Sequence, residues 1–153
     1  MDANELARAC ADALWERDVA SRDLGIELIS IEPGVAALAM QITDRMLNGH
    51  GICNGGYIFT LAVTAFTYAS NTQNRRTLAQ QCDITFLSAA HAGDRLIARA
   101  VERQRSRATS IYDITVTSEE SFVIAEMRGL SRTVDEEIVP GAQLRGALGA
   151  KVP

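Results

Sequence analysis

Cysteine is scarce in this chain, and the three that occur, Cys10, Cys53 and Cys82, are odd in number and show no C-x-x-C spacing. They make neither a disulfide framework nor a thiolate zinc site, and a reducing cytoplasm suits them. Histidine is scarcer still: with only His50 and His91, a histidine-rich metal centre is excluded. No apolar run reaches the roughly 20 residues of a membrane span. The first eighteen residues, MDANELARACADALWERD, alternate charge with apolar side chains and lack the core of a secretion signal. There is no G-x-S-x-G elbow, no internal repeat and no linker. A surplus of positive charge is missing as well. The net charge of -4 offers no clustered basic surface for phosphate neutralisation, so neither nucleic acid nor membrane is an expected partner.

What remains is ordinary globular material: 153 residues, 47% hydrophobic, 22% charged and 5% aromatic. That length is one domain's worth and buries roughly two-thirds of the surface of its unfolded form. Fourteen of the fifteen basic residues are arginine, Lys151 being the exception. Arginine suits bidentate contacts to carboxylate or phosphate, although a compositional bias explains the excess equally well.

The chain is organised around residues 46–72, MLNGHGICNGGYIFTLAVTAFTYASNT. A glycine-dense loop, residues 48–56, runs straight into sixteen uncharged residues. Such a junction presents free backbone N–H groups at the positive end of a helix dipole, a site for a carbonyl oxygen or an anion. The same residues also make an ordinary tight turn with Asn54 as N-cap. The loop is not a phosphate-binding loop, because it lacks the Gly-Lys-Ser/Thr ending and a βαβ setting. His50 has no acidic neighbour in sequence and reads as a loop-ordering residue rather than a base.

Around this centre, residues 4–18 space Leu6, Cys10, Ala13 and Leu14 as an amphipathic helix. Residues 25–31 and 35–43 read as a hairpin turning at Pro33-Gly34. Beyond Arg76 the pattern is strand-like: 77–89 with Leu78, Gln80, Cys82, Ile84 and Phe86 on one face, then 95–105, 108–117 and 122–134 as an antiparallel meander. The tail from Asp135 onward, 135–153, is expected to fray. Strands grouped after a helix indicate α+β architecture with an antiparallel sheet. A central helix apolar on every side needs cover beyond one sheet face, which points to a second subunit.

The run Met46-Leu47-Asn48-Gly49-His50, Gly55-Gly56, Phe59, Leu61-Ala62, Thr64-Ala65-Phe66 and Asn71 resembles the hotdog-fold thioesterases of the phenylacetate-degradation type. Asp83 to Leu87, Ala92-Gly93-Asp94, Tyr112-Asp113 and Arg128-Gly129-Leu130-Ser131 are similar to the same family's later strands. The likeness runs over about residues 12–134. It implies a single hotdog domain over 1–153: an antiparallel sheet wrapped around one long central helix, preceded by a short N-terminal helix. It also implies hydrolysis of (hydroxy)phenylacetyl-coenzyme A thioesters in the cytoplasm by a homodimer or homotetramer, with no cofactor beyond the coenzyme A of the substrate.

Two residues depart from the family pattern. The family has His-Gly-Gly where this chain has Asn54-Gly55-Gly56, and Leu-Ala-Asp where it has Leu61-Ala62-Val63. The aspartate is the family's general base or nucleophile, roles valine cannot fill. Gly55 and Val63 stand eight residues apart, about 12 Å along a helix, so one thioester carbon meets both positions only if two helices run antiparallel across a two-fold axis. By resemblance, the Gly55 or Gly56 N–H stabilises the oxyanion, Asn48 helps hold the carbonyl or the lytic water, and position 63 of the partner supplies the base. Leu47, Tyr57, Phe59 and Phe66 are candidates for the acyl pocket or the core, and Arg128 and Ser131 for the substrate channel. Arg75, Arg76, Arg99, Arg103, Arg105 and Arg107 are candidates for the coenzyme A phosphates or for a solvated, charge-guarded sheet edge. The expected activity is therefore an impaired thioesterase, with a catalytically silent acyl-coenzyme A binder as the alternative.

Overall fold

The computed structural model describes residues 1–146. Helix α1, Ala3–Trp15, starts on a capping box: Asp2 Oδ1 accepts the Glu5 N–H at 2.8 Å, and Glu5 Oε2 accepts the Asp2 N–H at 2.8 Å. It buries Leu6, Ala7, Cys10 and Ala11, close to the face that the spacing predicts. A short helix not anticipated from sequence, α2, Val19–Asp23, follows on the Asp18 cap. The other oxygen of that carboxylate accepts the Tyr68 hydroxyl at 3.0 Å, tying α2 to the central helix. Burial first, then the Asp18 charge, pushes the Tyr68 phenol well above its ordinary range.

Strands β1, Glu27–Glu32, and β2, Val35–Gln41, form the expected hairpin, with Gly34 at φ +72° in the turn. The central helix α3 spans Gly55–Ser70. Then come β3, Thr77–Phe86; β4, Arg95–Gln104; β5, Thr109–Ser118; and β6, Val123–Thr133. All pair antiparallel in the order β1-β2-β4-β5-β6-β3, and α3 lies across the sheet. This is the α+β hotdog architecture.

Three expectations are corrected. The last four strands are not a simple meander: β4, β5 and β6 are, but β3 crosses over to pair with β6 at the far edge. The face assigned to β3 is broken by a bulge between Ala79 and Gln81, which flips the side-chain alternation. Leu78 therefore stands 48% exposed, while Cys82 and Ile84 still pack against the core. The arginines offered as guards of a sheet edge do not lie along one: Arg99 and Arg103 are on the interior strand β4, where Arg103, at a second bulge between Glu102 and Gln104, reaches Asp113, and Arg105 and Arg107 fall past the end of β4.

The tail also differs from its expected fraying as far as it is described. Asn74, 5% exposed and at φ +56°, accepts the N–H groups of Ile138 (3.0 Å) and Val139 (2.7 Å) on Oδ1. Its Nδ2 donates to the carbonyls of Val139 (2.8 Å) and Ala142 (2.9 Å). Residues 147–153 lie outside the described part. Among the described residues no helix is long and apolar enough to cross a membrane.

Helix α3 is less uniformly buried than its composition suggests. Ile58, Leu61, Ala62, Ala65, Phe66, Tyr68 and Ala69 face the sheet or the N-terminal helices. Phe59, Thr60, Val63, Thr67 and Ser70, at three- and four-residue spacing, remain partly open to solvent.

Candidate active site

The loop before α3 is closed on itself. Leu47 pairs with Cys53 in an isolated bridge, the Asn48 N–H donates to the Ile52 carbonyl at 2.8 Å, and Gly51 takes φ +74°. The Asn48 side chain works inside the loop: Oδ1 accepts the N–H groups of His50 (2.9 Å) and Ile52 (3.4 Å). With that oxygen engaged, what Asn48 offers a ligand is its Nδ2 donor, suited to a carbonyl oxygen and unable to take a proton from water. The loop is pinned to its surroundings where Cys53 N–H meets the Ala90 carbonyl (2.8 Å) and Asn54 N–H meets the Met46 carbonyl (2.7 Å).

Asn54 is the N-cap, and its Oδ1 accepts the Gly56 N–H at 2.8 Å. Of the two glycine N–H groups singled out in the sequence, Gly56's is thus engaged, whereas Gly55's has no partner among the described residues. The Gly55 donor sits at the positive end of a 16-residue helix.

A neighbour that sequence reasoning missed frames this donor. Phe86, the last residue of β3 and half exposed, lays its ring against Gly55, and a Cβ built there would stand 2.9 Å from the Phe86 Cζ. Only a residue without a side chain admits that ring so close to the helix terminus. The crossover of β3 to the sheet edge creates this contact, and no local pattern announces it.

Val63 lies two turns along α3, half-buried on the open stripe with Phe59. The stripe carries no ionisable group, and its hydroxyls are turned inward: Thr60, Thr67 and Ser70 donate to the carbonyls of Gly56, Val63 and Thr67 at 2.9, 2.9 and 3.2 Å. Leu47 and Tyr57 are partly buried beside the loop, and Tyr57 borders a cleft of about 590 Å³ with Leu24, Thr43, Arg45 and Met46. The Cys53 thiol is raised by burial and stays protonated at neutral pH.

The remaining candidates are not gathered here. Phe66 is fully buried, its ring packed on Gly129 and 5.3 Å from that of Tyr112. Arg128 grips Asp113 with two hydrogen bonds of 2.7 and 3.0 Å on the sheet face away from α3. Ser131, 1% exposed, receives the Ser110 N–H at 3.2 Å, beyond the opposite end of α3. The junction supplies hydrogen-bond donors for a carbonyl oxygen and carries no carboxylate, His50 being the one imidazole in the loop.

A sheet curled around one central helix, with a donor-bearing glycine terminus on that helix, defines a hotdog-fold thioesterase scaffold. Residues 50–125 match the family model described as the thioesterase superfamily. The chain is 41% identical over 124 residues to acyl-coenzyme A thioesterase PaaI of Escherichia coli, covering 81% of this chain and 89% of that protein. The solved structure of E. coli PaaI superposes with a TM-score of 0.86 at 39% identity, over 88% of this chain and 97% of that one. A mutant of phenylacetic acid degradation protein PaaI from Thermus thermophilus superposes at 0.72 with 33% identity, over 74% and 97%. A Streptococcus mutans protein solved bound to acetyl-CoA does so at 0.71 with 25% identity, over 73% and 90%. This chain belongs to the hotdog-fold thioesterase superfamily, in its PaaI-like acyl-coenzyme A thioesterase group.

Proposed function

We propose that this chain binds arylacetyl-coenzyme A thioesters of the phenylacetyl type at the Gly55 junction and turns them over weakly, for want of a base. The observation that carries this reading is the Gly55 N–H, without a partner among the described residues, at the head of a helix that bears no carboxylate. The substrate carbonyl takes the Gly55 donor, with Asn48 Nδ2 as a second, and the developing oxyanion is stabilised at the dipole's positive end. The acyl group lies toward Tyr57, Leu47 and Phe59. The site is shared in a homodimer, in which Val63 of one protomer faces Gly55 of the other and Asn54 stands in the family's histidine position. The free thiols Cys10, Cys53 and Cys82 accord with a cytoplasmic setting.

In a PaaI-like active site, the carboxylate at position 63 takes the water proton or attacks the carbonyl directly. With Val63 there, only polarisation remains, and binding outlasts chemistry. A catalytically silent binder is the limiting form of the same reading, favoured by the inward-turned hydroxyls of α3.

The test compares this chain with the Val63→Asp, Asn54→His double substitution, measuring hydrolysis of phenylacetyl-coenzyme A and calorimetric binding to each. Tight binding by both, with turnover restored in the double variant, is expected. A double variant that binds the thioester yet gains no turnover sinks the hydrolase assignment, and no binding to either sinks both forms of it.

A further inference from the structure

The donor at the head of α3 and the ring of Phe86 meet on one residue. The three atoms nearest a Cβ built on Gly55 are Cζ, Cε1 and Cε2 of Phe86, at 2.9, 3.2 and 3.3 Å, so the ring comes to the helix tip-first rather than face-on. Its backbone is held in place: Phe86 pairs with Ala125 of β6, and the next N–H, that of Leu87, donates to the Ile124 carbonyl at 2.8 Å. Only rotation of the half-exposed side chain can withdraw the ring.

A second ring borders the same spot. Gly55, Phe59 and Val63 recur at four-residue spacing on one face of α3, and helix side chains lean toward the N-terminus, so Phe59 leans over Gly55. On a residue with helical φ the N–H and the Cα–Cβ bond lie on the same side. An oxygen accepting from the Gly55 N–H therefore stands about 3.5 Å from the Cβ position that the Phe86 tip touches. A carbonyl held by this donor has the Phe86 tip within van der Waals range, and an acyl group continuing toward Phe59 leaves through the gap between the two rings. The other flank of the donor is bordered by Asn54, whose Oδ1 is engaged by the Gly56 N–H.

We propose that Phe86 is a specificity-determining residue: its ring tip sets the width available at the α-carbon of the acyl group, so the site takes thioesters whose α-carbon is a methylene and rejects those branched there. This rests on the thioester reading given above. The carbonyl carbon lies one bond beyond the bound oxygen and the α-carbon two, so a methyl substituent on the α-carbon falls into the volume that the ring tip holds. An unbranched arylacetyl group passes between Phe86 and Phe59. A 2-arylpropanoyl group has to push the ring off Gly55. Because Phe86 can rotate, the penalty is that of one misfitting methyl in a tight apolar slot, about 10-fold or more in affinity.

Titration calorimetry on the full chain compares phenylacetyl-coenzyme A with 2-phenylpropanoyl-coenzyme A. The parent is set beside Phe86→Ala, Phe86→Leu and an Ile29→Ala control, which removes a similarly exposed apolar side chain from the opposite edge of the sheet. The parent and the control are expected to bind the unbranched ester about 10-fold or more tightly than the branched one, and Phe86→Ala to bind the two within about 3-fold of each other. The ratio is the readout, because a merely structural role for Phe86 weakens both esters together and leaves it unchanged. Phe86→Leu keeps apolar bulk but lacks the ring tip, and carries the same test should Phe86→Ala fail to fold. A parent that binds both esters alike, or a Phe86 variant that keeps the full preference, overturns the proposal and leaves the thioester reading intact. If neither ester binds the parent, that reading fails and the proposal with it.

Discussion

The ring of Phe86 and the α-carbon of Gly55 meet so closely that a methyl group on Gly55 would come within 2.9 Å of the Phe86 Cζ. The same device recurs in the core, where a methyl on Gly129 would fall 2.7 Å from Phe66 Cε1. The two are not equivalent, because Phe86 is half exposed and can swing away, whereas Phe66 is fully buried. Gly129→Ala is therefore expected to cost about 1–3 kcal/mol through overpacking, and Gly55→Ala less than about 1 kcal/mol. Thermal unfolding of the two variants checks the order. Gly55→Ala should nevertheless weaken thioester binding, since the displaced ring and the new methyl crowd the donor.

Restoring a carboxylate at position 63 should act on turnover rather than on affinity. General-base assistance is worth about 10²- to 10⁴-fold, so Val63→Asp with Asn54→His should raise kcat by that order while KM changes little. Steady-state kinetics on phenylacetyl-coenzyme A separates the two. The same exchange should lower stability, because a carboxylate on a half-buried stripe bears a desolvation cost.

Asn74 holds the tail with four hydrogen bonds in a left-handed backbone conformation. Asn74→Gly keeps the conformational freedom and deletes the amide, so the difference reports the hydrogen bonds. At about 0.5–1.5 kcal/mol each, their joint loss is expected to release residues 136–142 and cost a few kcal/mol of stability. Limited proteolysis should then cut within this segment before the core is attacked.

Asp113 sets a pH dependence of known sign. The Arg128 hydrogen bond first, opposed by burial and then aided by the charges of Arg128 and Arg103, holds its carboxyl below the ordinary value. A depressed folded value means the pair stabilises the fold above the unfolded carboxylate pKa, near 3.9, and that this contribution is lost as pH falls through the folded value. The side chain is about one-third exposed, so the effect is at most about 1 kcal/mol. Melting curves of the parent and Asp113→Asn should differ at neutral pH and converge in acid.

Self-association is expected to run through β3. It is an edge strand that pairs only with β6 among the described residues, and Leu78 and Phe86 on it are about half exposed. Sedimentation at micromolar concentration is expected to give a dimer, and a monomer there contradicts the shared site.

Local chemistry made much of this fold legible. The apolar spacing of α1, the Pro33-Gly34 turn and the uncharged run after Asn54 each specify their element from neighbours in sequence. What escaped was long-range or irregular. Single-residue bulges at Gln80 and Arg103 invert every later side chain without changing composition, and the pairing of β3 with β6 joins segments some forty-five residues apart. The site divides in the same way. Asn48, Asn54, Gly55 and Gly56 lie in one short loop and could be read directly, whereas Phe86 reaches Gly55 only through the crossover, and the recess lined by Arg75 and Arg107 needs four separate segments to converge.

That crossover also dictates an order of events during synthesis. When β3 leaves the ribosome, β6, its only partner strand among the described residues, has not yet been made, so the strand and the apolar helix ahead of it must wait through β4 and β5. Pairings this remote are slow to form and leave sticky surface in the open. The nascent chain is therefore most vulnerable to aggregation between the emergence of Phe86 and that of Val123, and a stall inside this window should send it to chaperones rather than to the native state.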